Sequence, residues 1–276
     1  MLKSKNLILH TEAQPIYITF PLLDKTEIVN HAFTTRLGGV SEGMYAKMNM
    51  SFSNGDKREN VMENYRRICS SVNIDINKLV LSQQTHTNNV RIVTEQDIGK
   101  GIFKERDYTD VDGLITNIPG VALVTQYADC TPLLFCDPVK KVVATSHAGW
   151  RGTVSEIGKI TVEKMQQHFG CNPKDIIAAI GPSIGVCCYE VDDIVYTPLS
   201  KIDYLDMDKI ITRKENGKYM LNLWETNRQI LINAGVKEEN IDVTDLCTNC
   251  HPDIFHSHRF TGGKRGNLAA IISLCE

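Results

Sequence analysis

No run of apolar residues in this 276-residue chain reaches the ~18 that a membrane-spanning helix needs, so no such helix is expected. Positive charge is not in excess either. Lysine and arginine number 30 against 33 acidic residues, and a net charge of -3 offers no basic footprint for nucleic acid. An export signal is missing from the start: Met1-Leu-Lys-Ser-Lys-Asn-Leu-Ile-Leu-His10 holds only a short apolar patch before Thr11 and Glu12. A cytoplasmic protein is therefore expected. There is no internal repeat at a fixed period, no low-complexity stretch and no linker rich in Pro, Gly or Ser. What the chain does have is 42% hydrophobic residues, enough for a large buried core. It also has nine cysteines, an odd number in a long chain without an export signal. Reduced thiols, mostly buried as small hydrophobes, follow from that context rather than a disulfide scaffold.

Apolar runs of strand length recur at Glu27–Thr34, Leu79–Ser82, Val90–Thr94, Gly113–Thr116, Val121–Gln126, Pro132–Cys136, Lys141–Ser146, Ile176–Ile180, Ile241–Val243 and Leu268–Ser273. Several are nearly continuous Val, Leu and Ile, as in strands buried on both faces. Helical spacing is rarer. Val154, Ile157, Thr161, Val162, Met165 and Phe169 share one face, and Gly170 supplies the stop. Asn60–Val72 forms another amphipathic segment. Asn222 with Glu225 resembles a capping box for a helix closing at Gly235. The polar stretch Lys201–Gly217 reads as a surface excursion. Strands outnumber helices and cluster, which predicts an α+β single domain instead of regular βαβ winding.

Chemistry concentrates where these runs end. Tyr127-Ala-Asp-Cys130-Thr-Pro and Ser146-His147-Ala-Gly-Trp-Arg-Gly152 each break an apolar run with a metal-capable side chain, and Gln83-Gln-Thr-His86 does the same upstream. Two imidazoles and one thiolate, His86, His147 and Cys130, describe a zinc site with its fourth position open. Asp129 is placed to fix a histidine tautomer. The small residues after His147 allow close backbone approach, as a pocket floor requires. Copper is the alternative metal, with Met44, Met48 or Met50 as a weak axial ligand. A multicopper cluster needs paired His-x-His motifs, and the eight histidines contain a single pair, His256-Ser-His258. Cys247-Thr-Asn-Cys250-His251 matches a c-type haem attachment motif literally, but without the export that haem attachment needs. A structural zinc site recruiting His256 or His258, or a loop with buried thiols, are its other readings. The vicinal pair Cys187-Cys188 reads as core or turn.

Other polar clusters have two readings each. Arg36, followed by Gly38-Gly39 after a strand, is either an anion contact or a hairpin arginine. Arg259 and Arg265, in the glycine-rich basic stretch from Ser257 to Gly266, either touch phosphate or sit in a solvated loop; the stretch lacks Walker spacing. Gly181-Pro-Ser-Ile-Gly185 is a turn at a strand end, and Glu190 beyond it is a candidate general acid or base.

Taken in order, Phe33-Thr-Thr-Arg-x-Gly-Gly-Val-Ser, Gln84-x-His86, Ala128-Asp-Cys130-x-Pro, Ser146-His-Ala-Gly-Trp-Arg-Gly, Gly181-Pro-Ser-Ile-Gly and Phe255-x-Ser-x-Arg259 resemble the YfiH/YlmD family of laccase-domain, polyphenol-oxidase-like proteins. The resemblance runs from about residue 30 to the C-terminus. It implies a layered α/β/β/α core, the cysteine-hydrolase-type fold shared with the cytotoxic-necrotizing-factor catalytic domain. It also implies a zinc-dependent enzyme that phosphorolyses adenosine, inosine, guanosine and S-methyl-5'-thioadenosine and deaminates adenosine. By motif, His86, Cys130 and His147 become the metal ligands, and Arg36, Arg151 and Arg259 contact phosphate or substrate. Asn49, retained within Met48-Asn-Met-Ser51 where the family has Leu-Asn-Leu-Gly, joins them as a substrate- or phosphate-binding residue. The basic lobe departs from the pattern: Ser-Tyr-Arg-Arg reads Ser257-His258-Arg259-Phe260, and Thr-Gly-Arg reads Gly263-Lys264-Arg265. Three rivals stand beside this reading: a copper-dependent phenol oxidase, a metal-free Cys130/His147 amidase, and a metal-binding module without catalysis.

Overall fold

The structure, a computed structural model, describes residues 3–276; Met1 and Leu2, at the head of the segment read against an export signal, lie outside the described residues. The chain opens with β1 (Ile8–His10), β2 (Tyr17–Thr19), α1 (Pro21–Asp24), β3 (Val29–Thr34) and α2 (Arg58–Ser71). Next come β4 (Leu79–Leu81), β5 (Val90–Ile92), β6 (Gly113–Thr116), β7 (Ala122–Tyr127), β8 (Thr131–Asp137) and β9 (Val142–Ala148). A second group follows: α3 (Trp150–Val154), α4 (Ile157–Phe169), β10 (Ile177–Ile180), β11 (Glu190–Val191), α5 (Asp193–Leu199), α6 (Met207–Ile210), β12 (Ile211–Arg213) and β13 (Tyr219–Leu221). The chain closes with α7 (Leu223–Asn233), β14 (Ile241–Val243), α8 (His258–Thr261) and β15 (Leu268–Leu274).

Two six-stranded sheets result, ordered β1-β2-β3-β15-β7-β4 and β14-β10-β8-β9-β6-β5. Most neighbours are antiparallel; the parallel pairs are β4·β7, β5·β6 and β10·β14. The period-2 alternation of each strand sorts its side chains between two cores. On β15, Leu268, Ala270 and Ile272 face the opposing sheet, together with Leu134 of β8 and Val143 of β9. Ala269 and Ile271 face outward, onto Val61, Tyr65 and Ile68 of α2. The second sheet turns Leu133, Phe135, Val142 and Ala144 outward against Ile157, Val162 and Met165 of α4 and Leu231 of α7. The layering is therefore helix, sheet, sheet, helix, as the family resemblance implied. Between the sheets, Thr125 Oγ1 meets Thr145 Oγ1 at 2.7 Å, and the Tyr127 hydroxyl donates to Thr125 Oγ1 at 2.7 Å and to Ser146 O at 3.0 Å.

Lys201–Gly217 holds more structure than a surface excursion. It contributes α6 and β12, and Leu205 and Ile210 join Val195, Leu199 and Leu221 in a small satellite core. The three-stranded sheet β11-β13-β12 caps that core. Asn222 does cap α7, accepting from Glu225 N at 3.1 Å, but the Glu225 carboxylate pairs with Arg228 instead of reaching back. The expected helix from Val154 to Phe169 is two helices, because Glu156 adopts a left-handed φ of 54° between α3 and α4.

Candidate metal centre

The register of three strands assembles the site. In the β8·β9 hairpin Thr131 pairs with Ala148, so one step further Cys130 lies opposite Gly149. In the β6·β9 pair Gly113 faces Ser146, so Asp112 lies opposite His147. His147 sits inside β9, one residue from its end, rather than just after it as the apolar run suggested. The strand parity that sends Val143 and Thr145 between the sheets sends His147 there too, where its ring packs 5.5 Å from Tyr127. Cys130 closes the tight β7–β8 turn, in which Asp129 takes a φ of 82°.

Asp112 organises the rest. Its fully buried carboxylate accepts from the backbone N–H groups of Thr85, His86 and Thr87 at 3.0, 3.0 and 2.9 Å. It also accepts from the Thr87 hydroxyl at 3.0 Å and from His147 Nδ1 at 2.7 Å. Burial alone would raise the Asp112 pKa, but the His147 hydrogen bond and charge, with those backbone donors, hold it down at about 2. One carboxylate thus wraps the loop that carries His86, at a φ of 67°, and fixes the His147 tautomer. His147 Nε2 is left facing Cys130 and His86.

The nitrogen and sulfur donors of His86, Cys130 and His147 all lie within 4.8 Å of one another, and Cys130 Sγ is 3.9 Å from His86 Nε2. The two imidazole rings meet edge-on with centroids 4.9 Å apart. Gly149 forms the floor: a Cβ there would stand 3.0 Å from Cys130 Sγ and 3.0 Å from His86 Cδ2. Two imidazoles, one thiolate, a carboxylate behind one imidazole and a floor without a side chain fit a metal with an open coordination position. Without a metal, burial opposes ionisation of Cys130, but the charges and hydrogen bonds of His147 and His86 prevail and bring its thiol down to about 6. His147 moves the other way. Burial would lower it, yet Cys130 and Asp112 raise it to about 9.

The donors open into a cleft of about 640 Å³, within the range of small-molecule sites. Trp150, Ile184 and Tyr189 are among its lining residues, together with the polar Gln84, Gln126 and Asn267. Arg106, Arg259 and Arg265 supply positive charge, and the buried Nε of Arg265 has no partner among the described residues. Arg106, Tyr189 and Asp112 were not singled out from the sequence. Asp112 had a legible signal, an acid directly before the apolar strand Gly113–Thr116. Arg106 and Tyr189 lie in polar connections, where spacing carries no information on direction.

Several sequence-derived candidates stand elsewhere. Asp129 lines the cleft but does not fix a histidine tautomer: its oxygens accept from Thr248 Oγ1 at 2.6 Å, Ser257 Oγ at 3.0 Å and Arg259 N at 2.7 Å. The Glu190 carboxylate is ion-paired with Lys214 and, at 3.1 Å, with Lys218; those hydrogen bonds hold it down at about 2, and it is not among the cleft's lining residues. Arg36 is not among them either; its guanidinium staples loops by donating to Ala46 O and Pro252 O. Asn49 is fully buried and bonds within its own loop, to Ser51 O and Asp56, while accepting from Asn267 N. Arg151 stacks on Trp150, at 4.3 Å from the ring centroid. Arg259 does line the cleft, donating to Cys188 O and Glu190 O, each at 3.2 Å. Met48 and Met50 are buried in the α2 layer and Met44 is exposed, so none of them lines the cleft as an axial ligand. His256 is buried with neighbours that lower its pKa to about 3, burial first and then Arg36 and Arg265.

A family model described as "Multi-copper polyphenol oxidoreductase laccase" matches residues 30–275. The chain is 40% identical over 248 residues to "Purine nucleoside phosphorylase YlmD" of Bacillus subtilis (strain 168), covering 88% of each chain. It is 33% identical over 237 residues to "Adenosine deaminase RL5" from an unknown prokaryotic organism, covering 85% of this chain and 90% of that one. Among solved structures, that of the hypothetical protein YfiH from Bacillus licheniformis superposes with a TM-score of 0.92 at 34% identity, over 98% of this chain and 99% of the other.

Proposed function

Because the chain belongs to the YfiH/YlmD laccase-domain family, we propose that it is a zinc-dependent purine nucleoside phosphorylase that also deaminates adenosine. The observation that carries this reading is the joining of two features in one cleft: an N₂S donor set backed by Asp112, and three arginines beside it. Zinc held by His86, Cys130 and His147 would supply Lewis acidity to the reaction. Asp112 holds the His147 Nδ1 proton, so that Nε2 stays directed at the metal. Arg106, Arg259 and Arg265 offer guanidinium donors to phosphate oxygens. Trp150 and Tyr189 give flat walls against which a purine packs. In phosphorolysis, phosphate held by the arginines attacks the anomeric carbon, and the products are the free base and ribose 1-phosphate. In deamination, water replaces the exocyclic amine of adenosine, giving inosine and ammonia. The one carboxylate among the described lining residues, Asp129, is engaged by three donors, which counts against a carboxylate acid in either step.

Inosine assayed with and without phosphate tests the reading. Phosphate-dependent release of hypoxanthine, abolished together with the metal by Cys130→Ala, is the expected result. Inosine untouched by protein loaded at His86, Cys130 and His147 would overturn it.

A second reading has an observation in its favour. With no metal, a thiol at about 6 beside an imidazole at about 9 makes Cys130 a thiolate and His147 an imidazolium at neutral pH, with Asp112 as the third member of the relay. That arrangement suits a Cys/His amidase. Activity that survives complete chelation would favour it over the metal-dependent enzyme.

A further inference from the structure

The sulfurs of Cys187, Cys188, Cys247 and Cys250 all lie within 4.8 Å of one another, in a second cluster whose residues are distinct from the three donors of the first. Sequence alone left the vicinal pair as core or turn, and set a loop with buried thiols beside a zinc site completed by His256 or His258 for Cys247 and Cys250. Instead, the fold brings the two cysteine pairs to each other. Cys188 Sγ is 3.4 Å and Cys187 Sγ 3.5 Å from Cys250 Sγ. A disulfide would need about 2.05 Å. A tetrahedral zinc with Zn–S bonds near 2.3 Å sets its sulfurs about 3.8 Å apart, close to the spacing here.

The backbone is built around these sulfurs. Gly185 N donates to Cys247 Sγ at 3.2 Å, the kind of N–H contact that a thiolate accepts. A Cβ on Gly185 would stand 3.1 Å from Cys247 Cβ and 3.3 Å from Cys187 Sγ, so a side chain there would crowd the turn where it closes over the cluster. Cys188 N and Tyr189 N both donate to Gly185 O, at 2.9 and 3.0 Å, which curls the vicinal pair into one turn. A bridge between Ser183 and Cys247 locks that turn to the second segment, and Thr248 N donates to Ser183 O at 3.0 Å. Two segments about sixty residues apart in sequence thus present four soft ligands in a compact group, with the Cys-x-x-Cys spacing of structural zinc sites on one side.

We propose that Cys187, Cys188, Cys247 and Cys250 bind a structural zinc ion as a tetrathiolate, separate from the metal of the cleft. The four thiols release their protons to solvent as the ion binds. The site is a clamp with a position relative to function: Tyr189 and Ile184 of the first segment wall the cleft, and Arg259 is held by the carbonyls of Cys188 and Glu190. The ion would therefore fix the wall on which Arg259 stands.

Zinc stoichiometry of protein purified anaerobically from zinc-supplemented cells tests this. Titration of the native protein with a thiol-specific mercurial, with zinc release read by a chromogenic chelator, is expected to give two equivalents per chain. Cys130→Ala is expected to retain one, which Cys187→Ser with Cys250→Ser then removes. Cobalt loaded into Cys130→Ala should show the intense thiolate-to-cobalt charge-transfer absorption of a tetrathiolate. One equivalent in the native protein and none in Cys130→Ala would overturn the proposal, as would recovery of the four cysteines as disulfides. The proposed function fails separately, through an inactive protein or a Cys130→Ala variant that loses no zinc.

Discussion

Gly149 carries a sharp consequence for a residue with no side chain. Its φ of -64° is ordinary for any amino acid, so alanine there costs little backbone energy, yet the new methyl would press on Cys130 Sγ and His86 Cδ2. Gly149→Ala should therefore lose most of its cleft metal while keeping its fold, as metal analysis beside a thermal melt would register. A variant that keeps full metal occupancy would refute the cradle. Asp112→Asn acts from behind the site. Loss of the anionic partner of a ligating histidine weakens metal binding by about 10- to 100-fold in known sites, and chelator competition should find a loss of that size here. Arg265→Met should raise the KM for phosphate far more than it lowers kcat; an unchanged phosphate KM would remove Arg265 from the anion site. His86, Cys130 and His147 were legible in the sequence because each interrupts an apolar run. Asp112 left only the mark of an acid before an apolar strand; its role was hidden, because its partner across the β6·β9 pair is 35 residues away. Asp129, beside a ligand in sequence, drew attention for adjacency alone and turned out to hold the α8 end of the cleft.

At the scale of elements, the connection from β5 towards β6 is tied by one buried acid. Asp97 accepts from Arg91 Nη2 and Lys100 Nζ, each at 2.8 Å, and from Thr94 N at 2.9 Å. Burial opposes its ionisation, but Arg91, Lys100 and the Thr94 backbone outweigh it and bring the carboxyl to about 2. That value lies below the unfolded one near 3.9, so the stabilisation is complete above about pH 4 and fades as the pH falls through about 2. Asp97→Asn should lower stability at neutral pH by about 2 kcal/mol and flatten the acid limb of a stability curve between about pH 4 and 2. An unchanged limb would show that the bonds to Arg91 and Lys100 contribute nothing net. Element cores were readable from apolar runs, since burial on both faces leaves little choice of residue. Their ends were less so. The β9 run extends through His147 because hairpin register, not apolarity, carries it there. The break at Glu156 left no mark, since the apolar stripe continues in phase across it. Short strands such as β11, β12 and β13 owe their existence to the satellite core, a tertiary circumstance that local pattern does not encode.

Across the whole molecule, the two sheets meet over an apolar interior with a polar contact within it, Thr125 Oγ1 to Thr145 Oγ1. Thr125→Val leaves the Thr145 hydroxyl without this partner, a loss of about 1–3 kcal/mol, and Thr145→Val does the converse. The double variant should cost clearly less than the sum, because it leaves neither hydroxyl stranded; denaturant unfolding of the four proteins measures the difference. Strict additivity would mean that the pair is not coupled. The layered architecture was foreseeable from motif resemblance and strand count, whereas the pairing of Cys187-Cys188 with Cys247 and Cys250 was not. That encounter depends on where two turns emerge, and nothing local to either reports it.

Asp112 gathers the His86 loop and the His147 ring onto one carboxylate before any metal arrives. Swinging that loop open would expose three backbone donors and strand a buried charge, so these bonds hold the donor set in place. Metal exchange should accordingly be a matter of diffusion and ligand substitution alone. Protein from which a chelator has removed the cleft metal alone should reload that site in a single fast phase whose rate rises linearly with metal concentration, with no plateau from a slow opening step.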